Sequence, residues 1–509
     1  MAKTSVTDPL WIGVVKPDLS PGRIGISLCP GKKDAGGGWD RDLDLDLDIV
    51  QRWGATTVVT LLEDSELRSL EVTALGDAVR RRQMDWIHLP IKDVSVPNAT
   101  FEREWEVIGE GLRARLRSGF DILVHCRGGL GRGGLVAARL LIELGSKSDD
   151  AIEQVRRARP GAIETREQEN YVKAIEPAPE KIPSAEAEAT KDRAIGALLG
   201  LAIGDAVGTT LEFKPRDTYE PLTDMIGGGP FGLKPGQWTD DTAMALALTD
   251  SLMSKGDLDE QDILRRFVDW SDHGKYSCSG SCFDIGNTVR DALVRWKRTS
   301  KPHCGSTDPH SAGNGSLMRL CPVAIRFWND RPKLRDAAAR QSRTTHGAPE
   351  AVDACIGFAE MLSDAIAGAP RSEVLANRPG PFVGKIAAIM NGSWRSKFRS
   401  DIHASGYVAH TLEAAIWSVG RTADFRSAVL LAANLGEDAD TTAAVVGQLA
   451  GALYGAASMP KHWRERLAWS ARIQEMAAAL IDATLNGSSA CHPHNRTSKE
   501  NDDSISHIR

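Results

Sequence analysis

The chain has 509 residues, too many for one ordinary core, so two or three domains are expected. It is 42% hydrophobic and 26% charged with a formal net charge of -6, the balance of a soluble globular protein. That weak acidity argues against a nucleic-acid-binding surface. The N-terminal MAKTSVTDPL has no apolar core, so no secretory leader is expected. The best membrane candidate, AAVVGQLAGALYGAASM (443–459), is short, contains Gln448 and reads as a buried helix rather than a span. The eight cysteines show no paired framework, and Cys278 and Cys282 lack a second pair to complete a zinc site. A reducing cytoplasm is the expected setting.

In chain order, WDRDLDLDLDIV (39–50) alternates like a strand. Its Asp residues near a helix start, with Leu43 and Leu47 on one face, favour a helix over a cation site. TTVVTLLE (56–63) and FDILVHC (120–126) read as buried strands; IGEGLRARLRSG (108–119) and GLVAARLLIELG (134–145) read as helices. Residues 1–175 are therefore expected to form an α/β domain with a mainly parallel sheet. EPAPEKIPSAEAEATK (176–191) holds three prolines and almost no large apolar residue, and reads as a linker. Residues 192–485 are dominated by Ala/Leu-rich helical stretches, which predicts a nearly all-α second domain. The polar stretch 486–509 has too little apolar surface to order itself.

Two glycine stripes stand out in the second domain. Gly196, Gly200, Gly204 and Gly208 recur every fourth residue, as do Gly447, Gly451 and Gly455. That spacing lines each set along one helix face. Each mid-helix glycine costs about 0.5–1 kcal/mol relative to alanine, so the stripes predict central helices that cross tightly, though not necessarily each other.

VHCRGGLGRGGL (124–135) carries chemistry in the first domain. A strand ends at Cys126, five residues separate it from Arg132, and a helix follows. Backbone N–H groups of 127–132 can curl around one phosphate, the helix N-terminus adds its positive end, and the same field favours Cys126 as a thiolate nucleophile. Arg132 can grip two phosphoryl oxygens, and Gly128, Gly129 and Gly131 permit the tight curvature. No Gly-Lys-Ser/Thr occurs here, which excludes a Walker loop. His125-CRGGLGR resembles the His-Cys-five residues-Arg signature of the cysteine-based protein phosphatases, specifically the dual-specificity group near the cyclin-dependent kinase inhibitor phosphatase, over roughly residues 10–175. WIHLPIKDVSVP (86–97) resembles that family's acid loop and RPGAIETREQENYV (159–172) its later loop. The resemblance implies a phosphocysteine at Cys126, Asp93 as general acid, Gln168 positioning the hydrolytic water, and no cofactor. The family usually has Ser or Thr where Gly133 stands. Loss of that hydroxyl implies slow breakdown of the phosphocysteine, or a phosphate-binding module without turnover.

QWTDDTAMALALTDSL (237–252) and LGEDADTTAAVVGQLAG (435–451) each open with clustered Asp and Thr and run into an apolar helix. N-capping needs one such residue. Thr239, Asp240 and Asp241 together, and Asp438, Asp440 and Thr441 together, are better explained by a shared hard cation, Mg²⁺ or Mn²⁺. These motifs, with GLAIGDAVGTTLEF (200–213), FDIGNTVR (283–290), GNGSLMR (313–319), TTHGAPEA (344–351) and SGYVAHTLEAAIW (405–417), resemble in order the ADP-ribosylglycohydrolases, including the dinitrogenase reductase-activating glycohydrolase. The resemblance covers about residues 192–482. It implies two metal ions on the six Asp and Thr residues just named, and Glu212 as acid/base beside the distal ribose. Gly313, Asn314, Gly315, Ser316, His346, Gly406 and Tyr407 would hold diphosphate, ribose and adenine, with Asp284 facing the departing group. Glu437 stands where the family commonly has Gly.

The expectation is thus a two-domain hydrolase acting on a phosphate ester and on an ADP-ribosylated protein or small molecule. Arginine, serine and a nucleic-acid phosphate all stay open as acceptors.

Overall fold

The computed structural model describes residues 2–488. Its first domain is built on a five-stranded sheet of β1 (Gly13–Val15), β2 (Ile24–Ser27), β3 (Ala55–Thr60), β4 (Asp85–His88) and β5 (Asp121–His125). The strand order is β1-β2-β5-β3-β4, and only the β1–β2 pair is antiparallel. DILVH of β5 is buried at every position, as a central strand covered on both faces must be. His125 therefore ends the middle of the sheet, paired with Ser27 on one side and Thr60 on the other, and Cys126 emerges where parallel sheets present ligand sites.

Most of the acidic stretch lies in α1 (Leu43–Trp53), capped by Asp42 accepting from Leu45 N, while Trp39–Asp40 ahead of it pairs as a short strand with Lys33–Asp34. Asp46 inside it is buried against Arg41 at 2.8 Å, so its charge is already paired. Helices α2 (Ala99–Arg117) and α3 (Gly131–Glu143) cover the sheet.

The second domain is helical, with isolated bridges such as Gly313 with Tyr407. Its first helix, α4 (Ala187–Gly208), begins inside the stretch read as a linker, so the unstructured connection ends at Glu186. The stretch from Ala187 to Leu211 is long and apolar enough to cross a membrane, yet 94% of its apolar window is buried inside the protein. The last helix runs to Ser488, and the rest of the polar stretch lies outside the described residues.

The glycine stripes meet each other. Helix α4 packs antiparallel on α6 (Ala439–Tyr454), with α5 (Asp240–Lys255) alongside. A Cβ at Gly196 would lie 2.2 Å from Gly451 O, at Gly200 2.2 Å from Gly447 O, at Gly204 2.1 Å from Ala443 O, and at Gly208 2.3 Å from Ala439 O. Backbone lies on backbone for four turns, and any side chain would pry the helices apart. The antiparallel register brings the C-terminal end of α4 to the N-terminal end of α6.

The two domains share an interface. The carbonyl end of α2 is satisfied from the second domain: Arg371 donates to Ala114 O at 3.0 Å and to Ser118 Oγ at 2.8 Å, and Arg395 to Ser118 O at 2.7 Å. Cations at a helix C-terminus also complement its dipole. Phe120 stacks towards Trp394, ring centres 6.1 Å apart.

Helix propensity alone predicts that Gly200→Ala stabilises the protein by about 1 kcal/mol. The clash with Gly447 O reverses the sign, with an expected loss of about 1–3 kcal/mol in denaturant unfolding. A gain would contradict the contact.

Candidate active sites

In the first domain the loop 126–132 wraps a cavity of about 290 Å³ lined by Cys126, Gly128, Arg132, Asp93, Lys32 and Glu164, among others. Arg159 pulls on the outside of the loop, donating to Gly129 O at 3.1 Å and Gly128 O at 2.8 Å. With those carbonyls held outward, the peptide N–H groups are left to face the cavity. Gly129 has φ 69° and a Cβ there would lie 2.4 Å from the Ser27 backbone, so only glycine fits.

Arg132 is buried and bidentate to Glu66, at 2.6 and 2.9 Å, and its Nη2 also meets Asp93 at 2.8 Å. It reaches the cavity already oriented by Glu66, a residue that sequence reading missed. His125 is buried, with Nε2 2.7 Å from Thr60 Oγ1, and burial pushes it down to about 3, so it is neutral. Gln168 lies behind the cavity wall: it donates to Ser95 O at 3.2 Å and accepts from Glu164 N at 3.0 Å, tying the acid loop to the later loop. One cradle donor is taken in this state, since Gly131 N donates to Glu164 Oε2 at 2.8 Å. An incoming phosphate has to displace that carboxylate. A Cβ at Gly133 would stand 3.8 Å from Cys126 Sγ and 3.4 Å from Ile26 Cγ2, ordinary contact distances, so a Cβ fits there beside the thiol.

In the second domain the α4–α6 register assembles the other site, around a cavity of about 690 Å³. Glu212, just past α4, accepts from Ala439 N at 2.8 Å and Asp440 N at 3.2 Å at the start of α6. Carboxylate oxygens of Glu212, Asp438 and Asp440 lie within 4.8 Å of one another. Asp240, Asp284 and Thr441 complete this acidic wall. Thr239 and Asp241 stand behind it: Thr239 Oγ1 is 3.3 Å from Asp440, and Thr441 Oγ1 donates to Asp241 at 3.2 Å. Asp205, which sequence reading passed over, is fully buried in α4 and accepts from the backbone N and hydroxyl of both Thr239 and Thr242, fixing the α5 start. Its one sequence signal was a lone carboxylate in the apolar, glycine-striped part of α4, residues 194–208.

Burial and then mutual repulsion push the carboxyls of Asp205, Glu212, Asp240, Asp241 and Asp438 above their ordinary values, and Asp284 and Asp440 rise mainly by burial. Among the described residues, no lysine or arginine forms an ion pair with any of them. Asp241 Oδ1 is buried without a hydrogen-bond partner. An orphaned carboxylate oxygen amid all-oxygen donors fits a hard divalent cation.

Asn314 donates to Asp438 at 2.7 Å, and Gly313, Gly315 and Gly406 line the same cavity. His346 packs under that loop, where a Cβ on Gly315 would come within 2.7 Å of its ring; burial pushes it down to about 3, so it serves as a neutral floor. Arg319, unassigned from sequence, holds Gly315 O at 2.9 Å. Ser316 does not reach the cavity; it is buried against Ser342 at 2.9 Å. Tyr407 lines an adjoining cavity and hydrogen-bonds Glu350. Glu437 lines the main cavity at φ 61°, a backbone region that suits glycine.

The two constellations define a two-domain hydrolase. The chain belongs to the ADP-ribosylglycohydrolase family, which residues 186–489 match, and residues 44–172 match the Swiss Army Knife protein, DSP-PTPase phosphatase domain. Over 300 residues it is 49% identical to ADP-ribosylarginine hydrolase Tri1 of Pseudomonas putida, covering 58% of this chain and 79% of that protein. Over 135 residues it is 33% identical to cyclin-dependent kinase inhibitor 3 of Rattus norvegicus, covering 26% of this chain and 62% of that protein. A solved structure titled ADP-ribosylglycohydrolase-related protein complex is 38% identical with a TM-score of 0.52, covering 58% of this chain and 99% of that one.

The raised carboxyls fix a sign for pH. Asp438 and Asp440 rise from 3.8 to about 7, so without metal the unfolded chain releases protons that the folded chain keeps. Their stabilising contribution is present below about pH 4 and is lost as pH rises towards 7. Thermal unfolding in chelator is therefore expected to show a falling midpoint from pH 5 to 7.5, with Mg²⁺ suppressing the fall. A midpoint that rises with pH in chelator would contradict the repulsive cluster.

Proposed function

We propose that the second domain removes ADP-ribose from a modified protein, with arginine as the acceptor, while the first domain hydrolyses a phosphate monoester. The observation that carries the first half is the cation-free acidic wall with its orphaned Asp241 oxygen. Arginine is favoured because the Pseudomonas putida relative is named for it. Thr239, Asp240, Asp241, Asp438, Asp440 and Thr441 are the residues that would hold two Mg²⁺ or Mn²⁺ ions, which supply positive charge for a ribose diol and an activated water. The chain's own groups do the rest. Asn314 orients Asp438. The α6 N–H groups hold Glu212 Oε2, and the Glu212 carboxyl, raised by burial and by Asp440, moves the proton. Water oxygen joins the ribose anomeric carbon as the bond to the acceptor breaks, and a proton passes to the departing nitrogen.

In the first domain, Cys126 Sγ attacks phosphorus and Asp93 protonates the leaving oxygen. Asp93 then takes a proton from water as the water oxygen joins phosphorus and the S–P bond breaks, returning Cys126 as a thiolate. Gln168 acts on the water through the loop it pins. A second reading, phosphate binding without turnover, is favoured by Gly133 and by Glu164 in the cradle. The working compartment is proposed as cytoplasmic, supported by free thiols at all seven cysteines in the described residues.

Mass spectrometry of products from proteins ADP-ribosylated on arginine or on serine tests the first half. Asp240→Ala is expected to cut ADP-ribose release more than a hundredfold and leave aryl phosphate hydrolysis unchanged, with Cys126→Ser doing the reverse. Release from serine but not arginine would overturn the acceptor. For the cradle, Gly133→Ser is expected to raise steady-state turnover and to lower the fraction of trapped phosphocysteine. A wild type that already turns over rapidly without accumulating the intermediate would rule out the slow-breakdown account.

A further inference from the structure

A cavity of about 360 Å³ lies between the two domains, away from both sites. Arg81, Arg82 and Gln51 reach it from the first domain, and Arg216, Arg399 and Arg421 from the second; Asp217 is the acidic residue in its lining. The carboxylates nearby are already committed. Asp44 and Asp48 bind Arg82, at 3.0 and 2.8 Å, Asp217 binds Arg399 at 2.8 Å, and Asp85 is held by Arg115 at 3.2 Å. That leaves Arg81, Arg216 and Arg421 with no carboxylate of their own.

Arg216 donates to the carbonyls of Leu435, Arg399 and Ile402, at 3.0, 2.8 and 2.6 Å. Arg421 is buried, lies over the Trp417 ring and donates to Gln83 O. A guanidinium carries five N–H donors, so both retain donors beyond these bonds. Carbonyls satisfy hydrogen bonds but do not neutralise charge. Burial and the neighbouring Arg399 hold Arg216 below its ordinary value despite Glu437 and Asp217, and burial with Arg115 and Arg399 does the same for Arg421 despite Asp85. These guanidinium groups repel one another across the gap, and Asp217, the carboxylate in its lining, is already paired with Arg399.

We propose that this interdomain cavity is a binding site for a small phosphate-bearing anion of the pyrophosphate or nucleoside diphosphate class. Guanidinium groups converging from two domains match several phosphoryl oxygens at once. The volume suits a small molecule rather than a chain segment, and the half-exposed ring of Phe398 offers a face for a base at its edge. The site joins the hydrolytic centre through the backbone: Arg216 follows Glu212 on one loop, where Phe213 N donates to Glu437 O at 2.7 Å and Glu437 N to Lys214 O at 2.8 Å. Occupancy would therefore clamp the first domain against the loops that carry Glu212 and Asp438.

The test locates and weighs an anion in the full chain. Crystals soaked in tungstate are expected to show anomalous density among Arg216, Arg399 and Arg421, with the Cys126 cradle as internal control. Calorimetric titration with pyrophosphate and with ADP is expected to lose one class of sites, or at least tenfold in affinity for it, in Arg81→Glu and in Ser400→Glu. Both positions are exposed, one in each domain, and neither belongs to a catalytic centre. Tighter binding of ADP than of pyrophosphate assigns the site to a nucleotide, and equal binding assigns it to the phosphate alone. Density confined to the cradle, with titrations unchanged in both variants, would overturn the proposal.

Discussion

The backbone contact between α4 and α6 is the constraint on which the second domain depends. Four glycines of one helix lie against carbonyls of the other, and the register is antiparallel. Because the helices touch without side chains between them, neither can slide by less than a turn without a clash. That fixes the end of α4 against the start of α6, and so places Glu212 on the first N–H groups of α6. Asp205, one turn back in α4, reaches sideways to the start of α5. Two helix starts and one helix end thereby converge on one point, each bringing carboxylates.

The two sites solve opposite electrostatic problems. The second domain gathers carboxylates that pair with no lysine or arginine among the described residues, a state that costs folding energy and that a hard metal ion would relieve. The first domain gathers donors for an anion, and without one it uses its own carboxylates: Glu66 and Asp93 on Arg132, and Glu164 on Gly131 N. Glu66 orients Arg132, whereas Glu164 takes up a backbone N–H of the loop itself. The arginine-lined cavity between the domains is only partly answered in this way: carboxylates pair with Arg82 and Arg399, while Arg81, Arg216 and Arg421 form no ion pair among the described residues.

Much of this was legible in the sequence. Period-four glycines exposed the two central helices, and β5 stood out as a run apolar on both faces. Cys126-to-Arg132 spacing and the paired Asp/Thr helix starts pointed to residues that the fold gathers at two cavities, since local spacing dictates local geometry. What stayed hidden depends on long-range packing. The stripes gave no sign that they face each other. Glu66 sits in an ordinary amphipathic stretch, and only the fold brings it 66 residues away to Arg132. Ser316 lies inside a glycine motif, but the chain turns there and its hydroxyl points to Ser342 rather than to the cavity. The start of α4 was masked because Ala and Glu alternate through the linker and the first turn alike.

Gly208→Ala tests the central claim most directly, since a Cβ there lies 2.3 Å from Ala439 O, next to Asp438 and Asp440 of the acidic wall. The measurement is calorimetric Mg²⁺ affinity, with circular dichroism to confirm a folded chain. If the glycine contact sets the site, helicity is retained while Mg²⁺ affinity falls at least tenfold. A folded variant that binds Mg²⁺ as tightly as wild type would contradict the account.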